Sequence, residues 1–120
     1  MRLAAAVACL SLFTVVVSGQ VQAIPKQFRG DWAGSRAQCG RASESSLSVD
    51  ANRVSFYESQ GPVEAVKRIN DREVEVDLEL SGEGEVQRVT LRFRLSDNGR
   101  TLTVLTTQPP HSQFARVRCR

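Results

Sequence analysis

The chain has 120 residues, three cysteines, one histidine and a formal net charge of +3. This length accommodates one domain, and 24% charged with 41% hydrophobic residues describes a globular chain, neither disordered nor collagenous. The small net charge argues against a nucleic-acid binder, and a single histidine leaves little for a His-based metal site or a hydrolytic triad. Composition alone therefore points to no particular enzymatic activity.

Residues 1–23 have the pattern of a secretory signal peptide. Arg2 precedes an almost uncharged apolar run from Leu3 to Val17, which is short for a membrane span. Cleavage after Ala23 would leave residues 24–120 as a single domain, and the alternative is an N-terminal membrane anchor. We expect an exported protein, periplasmic or secreted, with no membrane contact after cleavage.

Removal of residues 1–23 also removes Cys9 and leaves Cys39 and Cys119. In an exported chain such a pair predicts one disulfide, which would close a loop of about 80 residues and contribute roughly 4 kcal/mol. The alternative is a metal site, but two thiolates and one distant histidine are too few ligands for a closed zinc centre. We expect no metal and no other cofactor.

The remaining chain consists of short alternating segments separated by turn residues. A first strand carries Gly30 to Trp32, and the polar stretch Arg36 to Ser46 is either a loop or a single helical turn. The later predicted strands are 47–49, 53–58, 63–69, 73–80, 88–95, a segment containing Leu102 and Val104, and 112–119. No long crossover connection interrupts this series, so consecutive strands are expected to pair as hairpins.

The clearest hairpin joins segments 72–80 and 88–95. Apolar residues alternate with acidic residues in the first segment and mostly with arginines in the second, and Ser81–Glu85 forms a glycine-rich tip. Outer pairs of opposite charge and inner apolar pairs then follow. The predicted pairs are Glu73–Arg94, Glu75–Arg92, Glu79–Arg88, Val74–Phe93 and Val76–Leu91.

Two flanking hairpins extend this sheet. Asn98-Gly99 is a strong turn signal that pairs Leu95 with Leu102 and Phe93 with Val104. Asn70-Asp71 pairs Ala65 with Val76 and Arg68 with Glu73. The inner face of this last hairpin would carry Lys67, and the face of Val54 and Phe56 would carry Glu58. Both charged residues are candidates to hold a ligand headgroup at the barrel ends, or they lie at the rim in water.

We predict an all-β fold, a small antiparallel up-and-down meander of 7–8 strands that closes into a barrel with one disulfide; the alternative is a two-sheet sandwich. The expected inward residues are bulky enough to fill a small barrel, so no large lumen is expected. These residues are Val54, Phe56, Ala65, Val74, Val76, Leu78, Leu91, Phe93, Leu102 and Val104.

Gly30-Asp31-Trp32, on the first strand of an antiparallel meander, resembles the signature of the lipocalins and the wider calycin group. The resemblance implies that Trp32 closes one end of the barrel and that an arginine of the last strand, Arg116 or Arg118, stacks on its ring. The run from Phe28-Arg29-Gly30-Asp31-Trp32 to Leu80-Ser81-Gly82-Glu83-Gly84 also resembles small exported bacterial proteins without an assigned activity.

The tip Ser81-Gly82-Glu83-Gly84 is similar to the loop that periplasmic inhibitors of C-type lysozyme insert into the lysozyme cleft. The resemblance implies a partner-binding role for Ser81, Glu83 and Glu85, and an acidic tip would suit a cationic lysozyme. No aromatic residue follows the tip, and a glycine-rich hairpin also forms without such a purpose.

We therefore expect an exported, non-catalytic binding module rather than an enzyme. It would bind a small molecule at the barrel mouth or a protein through its loops; the alternative is a periplasmic inhibitor of a hydrolase such as C-type lysozyme, acting through Gly82–Glu85. The candidate ligand or partner residues are Trp32, Glu58, Lys67, Ser81, Glu83, Glu85, Arg116 and Arg118. No catalytic residue and no nucleic-acid partner are expected, and the protein is expected to be a monomer.

Overall fold

The computed structural model describes residues 4, 6, 8–12 and 23–120. Most of the predicted signal peptide, residues 1–23, lies outside these ranges. Within the described ranges, no helix is long and apolar enough to cross a membrane.

Antiparallel strands pair in chain order and close into a barrel, with the last strand returning to the first. The predicted all-β meander is confirmed, and the barrel is correct rather than the sandwich. The strands are β1 (Gly30–Ala33), β2 (Leu47–Val49), β3 (Arg53–Phe56), β4 (Gln60–Asn70), β5 (Glu73–Gly82), β6 (Glu85–Leu95), β7 (Thr101–Thr106) and β8 (Gln113–Arg118). Short 3₁₀ helices occupy Lys26–Phe28 and Arg36–Gln38.

The two ends of the barrel differ. At the closed end, the segment before β1 packs against the turns after β2 and β4, where Ile24 N donates to Ala51 O at 2.9 Å and Gln27 Nε2 donates to Asp71 O at 3.0 Å. The turns after β3, β5 and β7 lie at the other end, called the open end here.

The barrel interior is filled by apolar side chains. Every predicted inward residue except Ala65 belongs to this core or packs against it, as expected for a small barrel whose side chains fill the inside. The buried cluster consists of Ile24, Phe28, Trp32, Leu47, Val49, Val54, Val74, Val76, Leu78, Leu91, Phe93, Leu95, Leu102 and Val104.

The predicted registers of β5 with β6 and of β6 with β7 are confirmed along their length. The outer pairs form salt bridges: Arg94 to Glu73 at 2.9 Å, Arg92 to Glu75 at 3.1 Å, and Arg88 to Glu79 at 3.7 Å. The strict alternation within 74–80 and 89–95 leaves one register that places the apolar residues of these segments on the inner face, because a shift by one residue would expose them.

The predicted register of β4 with β5 is wrong beyond Val63. The structure has a register shift between Val63 and Ala65, after which Ala65 lies opposite Asp77 and Val66 opposite Val76. The irregularity exchanges the two faces of the strand. Val66 therefore packs against the core, while Lys67 lies opposite Glu75 on the outer face and is exposed.

The end of β3 also differs from the prediction. The strand stops at Phe56, and Gln60–Pro62, predicted as turn, is the start of β4. Glu58 consequently lies in the turn at the open end and is exposed. It is not an inward residue of a strand.

The predicted disulfide between Cys39 and Cys119 is present, with the two Cα atoms 5.5 Å apart. Cys119 directly follows β8 at the closed end, and its N–H donates to Asp31 O at 2.9 Å. Cys39 reaches this end because β1 is short and the following stretch folds back along the barrel. Of that stretch, only Arg36–Gln38 is helical.

Loss of the disulfide is expected to destabilise the barrel substantially. The bond closes a loop with a sequence separation of 80 residues, so replacing both Cys39 and Cys119 by Ser should lower the free energy of unfolding by about 4 kcal/mol. Urea unfolding followed by tryptophan fluorescence measures this difference. A loss below about 1 kcal/mol would contradict the assignment, and reduction of the wild-type protein should reproduce the variant.

The register of β4 can be tested by placing a charge on each face. Val66→Lys puts an ammonium against the core and should cost about 2 kcal/mol of stability, whereas Ala65→Lys lies opposite Asp77 and should stay within about 0.5 kcal/mol of wild type. Denaturant titration compares the two variants. The reverse order of stabilities would support the register predicted from sequence.

Candidate functional site

Trp32 and Arg118 together form the plug of the closed end. The indole is 1% exposed and donates from Nε1 to Phe28 O at 3.1 Å. The Arg118 guanidinium lies over the ring with its Cζ 4.2 Å from the centroid. Of the two arginines proposed from sequence, Arg118 is therefore the one that stacks on Trp32.

Three of the five N–H donors of Arg118 are used by backbone carbonyls. Nη2 donates to Gln27 O at 2.6 Å, Nη1 to Arg29 O at 2.8 Å, and Nε to Gly99 O at 3.1 Å. Most of the donor capacity of this guanidinium is therefore used within the protein. The contacts of Trp32 and Arg118 thus describe a structural closure.

Arg116 has a different environment. It lies opposite the buried Leu102 in the β7–β8 ladder and therefore on the inner face. Its Cζ is 4.3 Å from the centroid of Phe114, and its Nε is buried with no hydrogen-bond partner in the described part of the chain. Burial lowers the pKa of the Arg116 guanidinium below its ordinary value. Its Nη1 donates to Ala115 O at 2.9 Å in an exposed position, so Arg116 is a partly buried cation between the plug and the open end.

The open end carries a group of carboxylates around one cavity. Glu58 of the β3–β4 turn, Glu83 of the β5–β6 tip and Glu85 at the start of β6 line a cavity of about 220 Å³. All three are exposed, and none belongs to the salt bridges formed within residues 23–120. We call Glu58, Glu83 and Glu85 the acidic cluster; its unpaired charges create a negative potential at this end.

Gly82 allows the cluster to form. A Cβ placed on this residue would lie 2.2 Å from Glu58 O, closer than any side chain tolerates, so the turn carrying Glu58 packs against the β5–β6 tip only because residue 82 is glycine. Ser81, the remaining candidate of the tip, is exposed and pairs with Val86 in the ladder.

Glu83 has an unfavourable backbone conformation. Its φ is 52° and that of Gly84 is 78°, the positive pair that a tight two-residue hairpin turn requires. Asparagine and glycine adopt such angles most readily, and a residue with a long side chain costs roughly 1 kcal/mol there. The carboxylate of Glu83 therefore stands at the tip at a cost in backbone conformational energy.

The structure separates residues that the sequence analysis grouped together. Lys67 lies opposite Glu75 in the half of β4 nearest the closed end, whereas Glu58 lies at the open end. They form no common headgroup site, since they occupy opposite ends of the barrel. The association of Glu58 with Glu83 and Glu85 was missed, because it depends on the close approach at Gly82, for which the sequence has no local signal.

A second cavity, at the closed end, was also missed. It measures about 370 Å³, and most of its lining residues are arginines. The charged ones are Arg36, Arg100, Arg118 and Arg120. The two ends of the barrel thus have opposite electrostatic character.

The histidine lies in the turn between β7 and β8 and is exposed. His111 Nδ1 is 3.4 Å from Thr106 O, a contact that leaves the ring in solvent. Within the described ranges, no group of three or more His, Cys, Asp or Glu side chains is arranged to hold a metal ion.

Comparison with protein-family models, with curated proteins and with solved structures finds no match to this chain. The resemblance of Gly30-Asp31-Trp32 to the lipocalin signature therefore stays a prediction.

The structural role of Arg118 predicts a contrast with Arg116. Arg118→Met removes the donors of three carbonyls and the cation over Trp32, and should cost about 3 kcal/mol of stability with a red shift of tryptophan emission. Arg116→Met removes a partly buried cation whose Nε has no hydrogen-bond partner in the described part of the chain, and should leave stability unchanged or higher. Equal losses in both variants, measured by chemical denaturation, would contradict this assignment.

Proposed function

We propose that the chain is an exported, non-catalytic binding module that engages a positively charged protein through the open end of its barrel. The observation that carries the proposal is the acidic cluster, in which three unpaired carboxylates surround one cavity. Positive side chains of a partner would replace the solvent around these carboxylates.

The filled interior favours a protein partner over a small molecule inside the barrel. Apolar side chains occupy the inside of the barrel. Further apolar residues are half-buried and pack against this core: Phe56, Leu80, Val89 and Phe114. A small ligand would be restricted to the rim, where the cavity at the open end is lined by carboxylates. The exposed carboxylates reach a partner without any change in the core.

Export is supported by the disulfide and by the N-terminal sequence. The Cys39–Cys119 bond suits an oxidising compartment, and residues 1–23 have the composition of a signal peptide. The working location would be the periplasm or the medium, where a cationic secreted protein is a reachable partner.

A hydrolase inhibitor is the second candidate function. It is favoured by the tip itself, because Glu83 projects from a tight turn at the end of a hairpin and would enter a cleft with little obstruction. A C-type lysozyme, cationic and with an open cleft, fits this shape and charge. Inhibition would then follow from occupation of the cleft and would require no chemistry by this chain.

The acidic cluster predicts a specific loss of binding. The triple variant Glu58→Gln, Glu83→Gln, Glu85→Gln should bind a C-type lysozyme at least about tenfold more weakly than wild type, and wild-type binding should weaken as salt rises. Calorimetry measures the affinity, and lysozyme activity in the same mixtures reports inhibition.

The matched control removes the same net charge elsewhere. Asp31, Glu44 and Asp50 are exposed and lie away from the cluster, so Asp31→Asn, Glu44→Gln, Asp50→Asn should bind as wild type does. Equal affinities of the two triple variants would overturn the acidic cluster as the binding surface. Full lysozyme activity at micromolar concentrations of the wild-type protein would remove lysozyme inhibition.

A further inference from the structure

Strand β6 extends beyond its neighbour β7. Pairing of β6 with β7 covers only Leu91 to Leu95, although β6 begins at Glu85. At the end of β7 the chain turns away: Thr107 donates to Thr90 O from both its N–H, at 3.4 Å, and its Oγ1, at 3.0 Å. Pro109 and Pro110 follow, and proline has no N–H with which to continue the ladder. The segment 85–89 is therefore an outer edge of the sheet.

At this edge, the backbone N–H and C=O groups of every second residue point away from β5. Thr90 O faces β7, and Leu95 N–H faces the other side, where it donates to Arg72 O. Alternation along the strand then directs the N–H and C=O groups of Val86 and Arg88 away from β5. The register with β5 has no shift in this stretch, so both residues lie on a regular edge.

The barrel has a comparable overhang on β4, and there it is protected. Pairing with β3 covers Gln60 to Pro62, while β4 continues to Asn70. Two register shifts interrupt that continuation, and Lys67 and Arg68 are exposed along it. Irregular pairing and charge are the usual means of blocking an edge. The edge of β6 also carries the charged residues Glu85 and Arg88, but its pairing with β5 has no such shift, and Val86 on it is 63% exposed.

We propose that the protein partner docks by adding an extended strand antiparallel to residues 85–89 of β6, in the position that β7 leaves vacant. The proposal rests on the function proposed above and specifies how the acidic cluster is used. The new strand would receive its main-chain hydrogen bonds from Val86 and Arg88.

The side chains beside the edge define the partner's sequence. Glu85 and Gln87 line the cavity of the acidic cluster together with Glu58, so alternate residues of the added strand would be lysine or arginine. The other face of the edge presents Val86 and then Arg88, which lies beside Glu64 and Glu79, so the intervening residue next to Val86 would be apolar. The occupant is an extended segment in which basic and apolar residues alternate.

The test uses an end-capped peptide of alternating lysine and valine, about six residues long, as the usual strand is. Arg88→Pro removes an edge N–H, and Arg88→Gln is its matched control. Both variants lose the contacts of Arg88 with Glu64 and Glu79 at 3.7 Å, but only the first loses the donor. We expect Arg88→Pro to weaken peptide binding about tenfold and Arg88→Gln to change it by less than about threefold.

A second measurement leaves the protein unchanged in case Arg88→Pro does not fold. N-methylation of the peptide amides on one edge should abolish binding, and methylation of the amides on the opposite edge should preserve it. Equal effects of the two methylation patterns, or equal effects of Arg88→Pro and Arg88→Gln, would overturn strand addition.

The possible failures are distinguishable. If the acidic-cluster triple variant loses peptide binding while Arg88→Pro and both methylated peptides bind normally, strand addition is wrong and the proposed function stands. If the triple variant also binds normally, both fail. Concentration-dependent self-association of the wild-type protein that Arg88→Pro removes would make a second copy the occupant and would overturn the assignment of a basic partner.

Discussion

The guanidinium of Arg118 connects parts of the chain that are distant in sequence. It bonds to carbonyls of the N-terminal segment and of the β6–β7 turn, and it covers the ring of Trp32. The ladder between β1 and β8 is short, comprising Trp32 opposite Arg118 and Ala33 opposite Val117. Closure of the barrel thus depends on these side-chain contacts and on the adjacent disulfide, because few strand pairs are available to hold the seam.

With one end sealed in this way, the charges of the barrel ends differ in sign. Arginines surround the cavity at the closed end, and unpaired carboxylates surround the cavity at the open end. Between them, the outer faces of β5 and β6 neutralise each other through cross-strand pairs. The net charge of +3 is therefore unevenly distributed, with positive charge at the closed end and negative charge at the open end. A cationic partner would be steered toward the open end.

Sequence reasoning was accurate where two local signals agreed. For β5, β6 and β7, strict alternation and the Asn98-Gly99 turn permit a single register, and the structure has that register. For β4, alternation continues through Ala65 and Lys67, but an irregularity after Val63 exchanges the faces. The apolar residues of β4 are small or have charged neighbours, whichever face of the strand is turned inward. Neither register therefore buries clearly more apolar surface, and the sequence pattern does not reveal the irregularity.

The residues of the candidate site likewise divide into those indicated by a local sequence signal and those placed by the tertiary structure. Glu83 and Glu85 were found because a glycine-rich tip between alternating segments is a local feature, and Cys39 with Cys119 because an exported chain with one remaining pair permits one bond. Glu58 was selected for the wrong reason, as an inward strand residue. Its place beside the tip results from the approach of its carbonyl to Gly82.

The sequence by itself determined the strand order, the hairpin tips, the charge pairs between β5 and β6 and the disulfide, because each depends on residues close in sequence or on a pairing with one solution. The predicted pair of Arg68 with Glu73 is wrong, since Arg68 lies opposite Val74 after the register shift. The tertiary structure alone decided which arginine covers Trp32, which face of β4 is buried and which carboxylates share a cavity. It also decided that 85–89 remains an edge. These features depend on the relative lengths and stagger of neighbouring strands, which closure of the barrel sets as a whole.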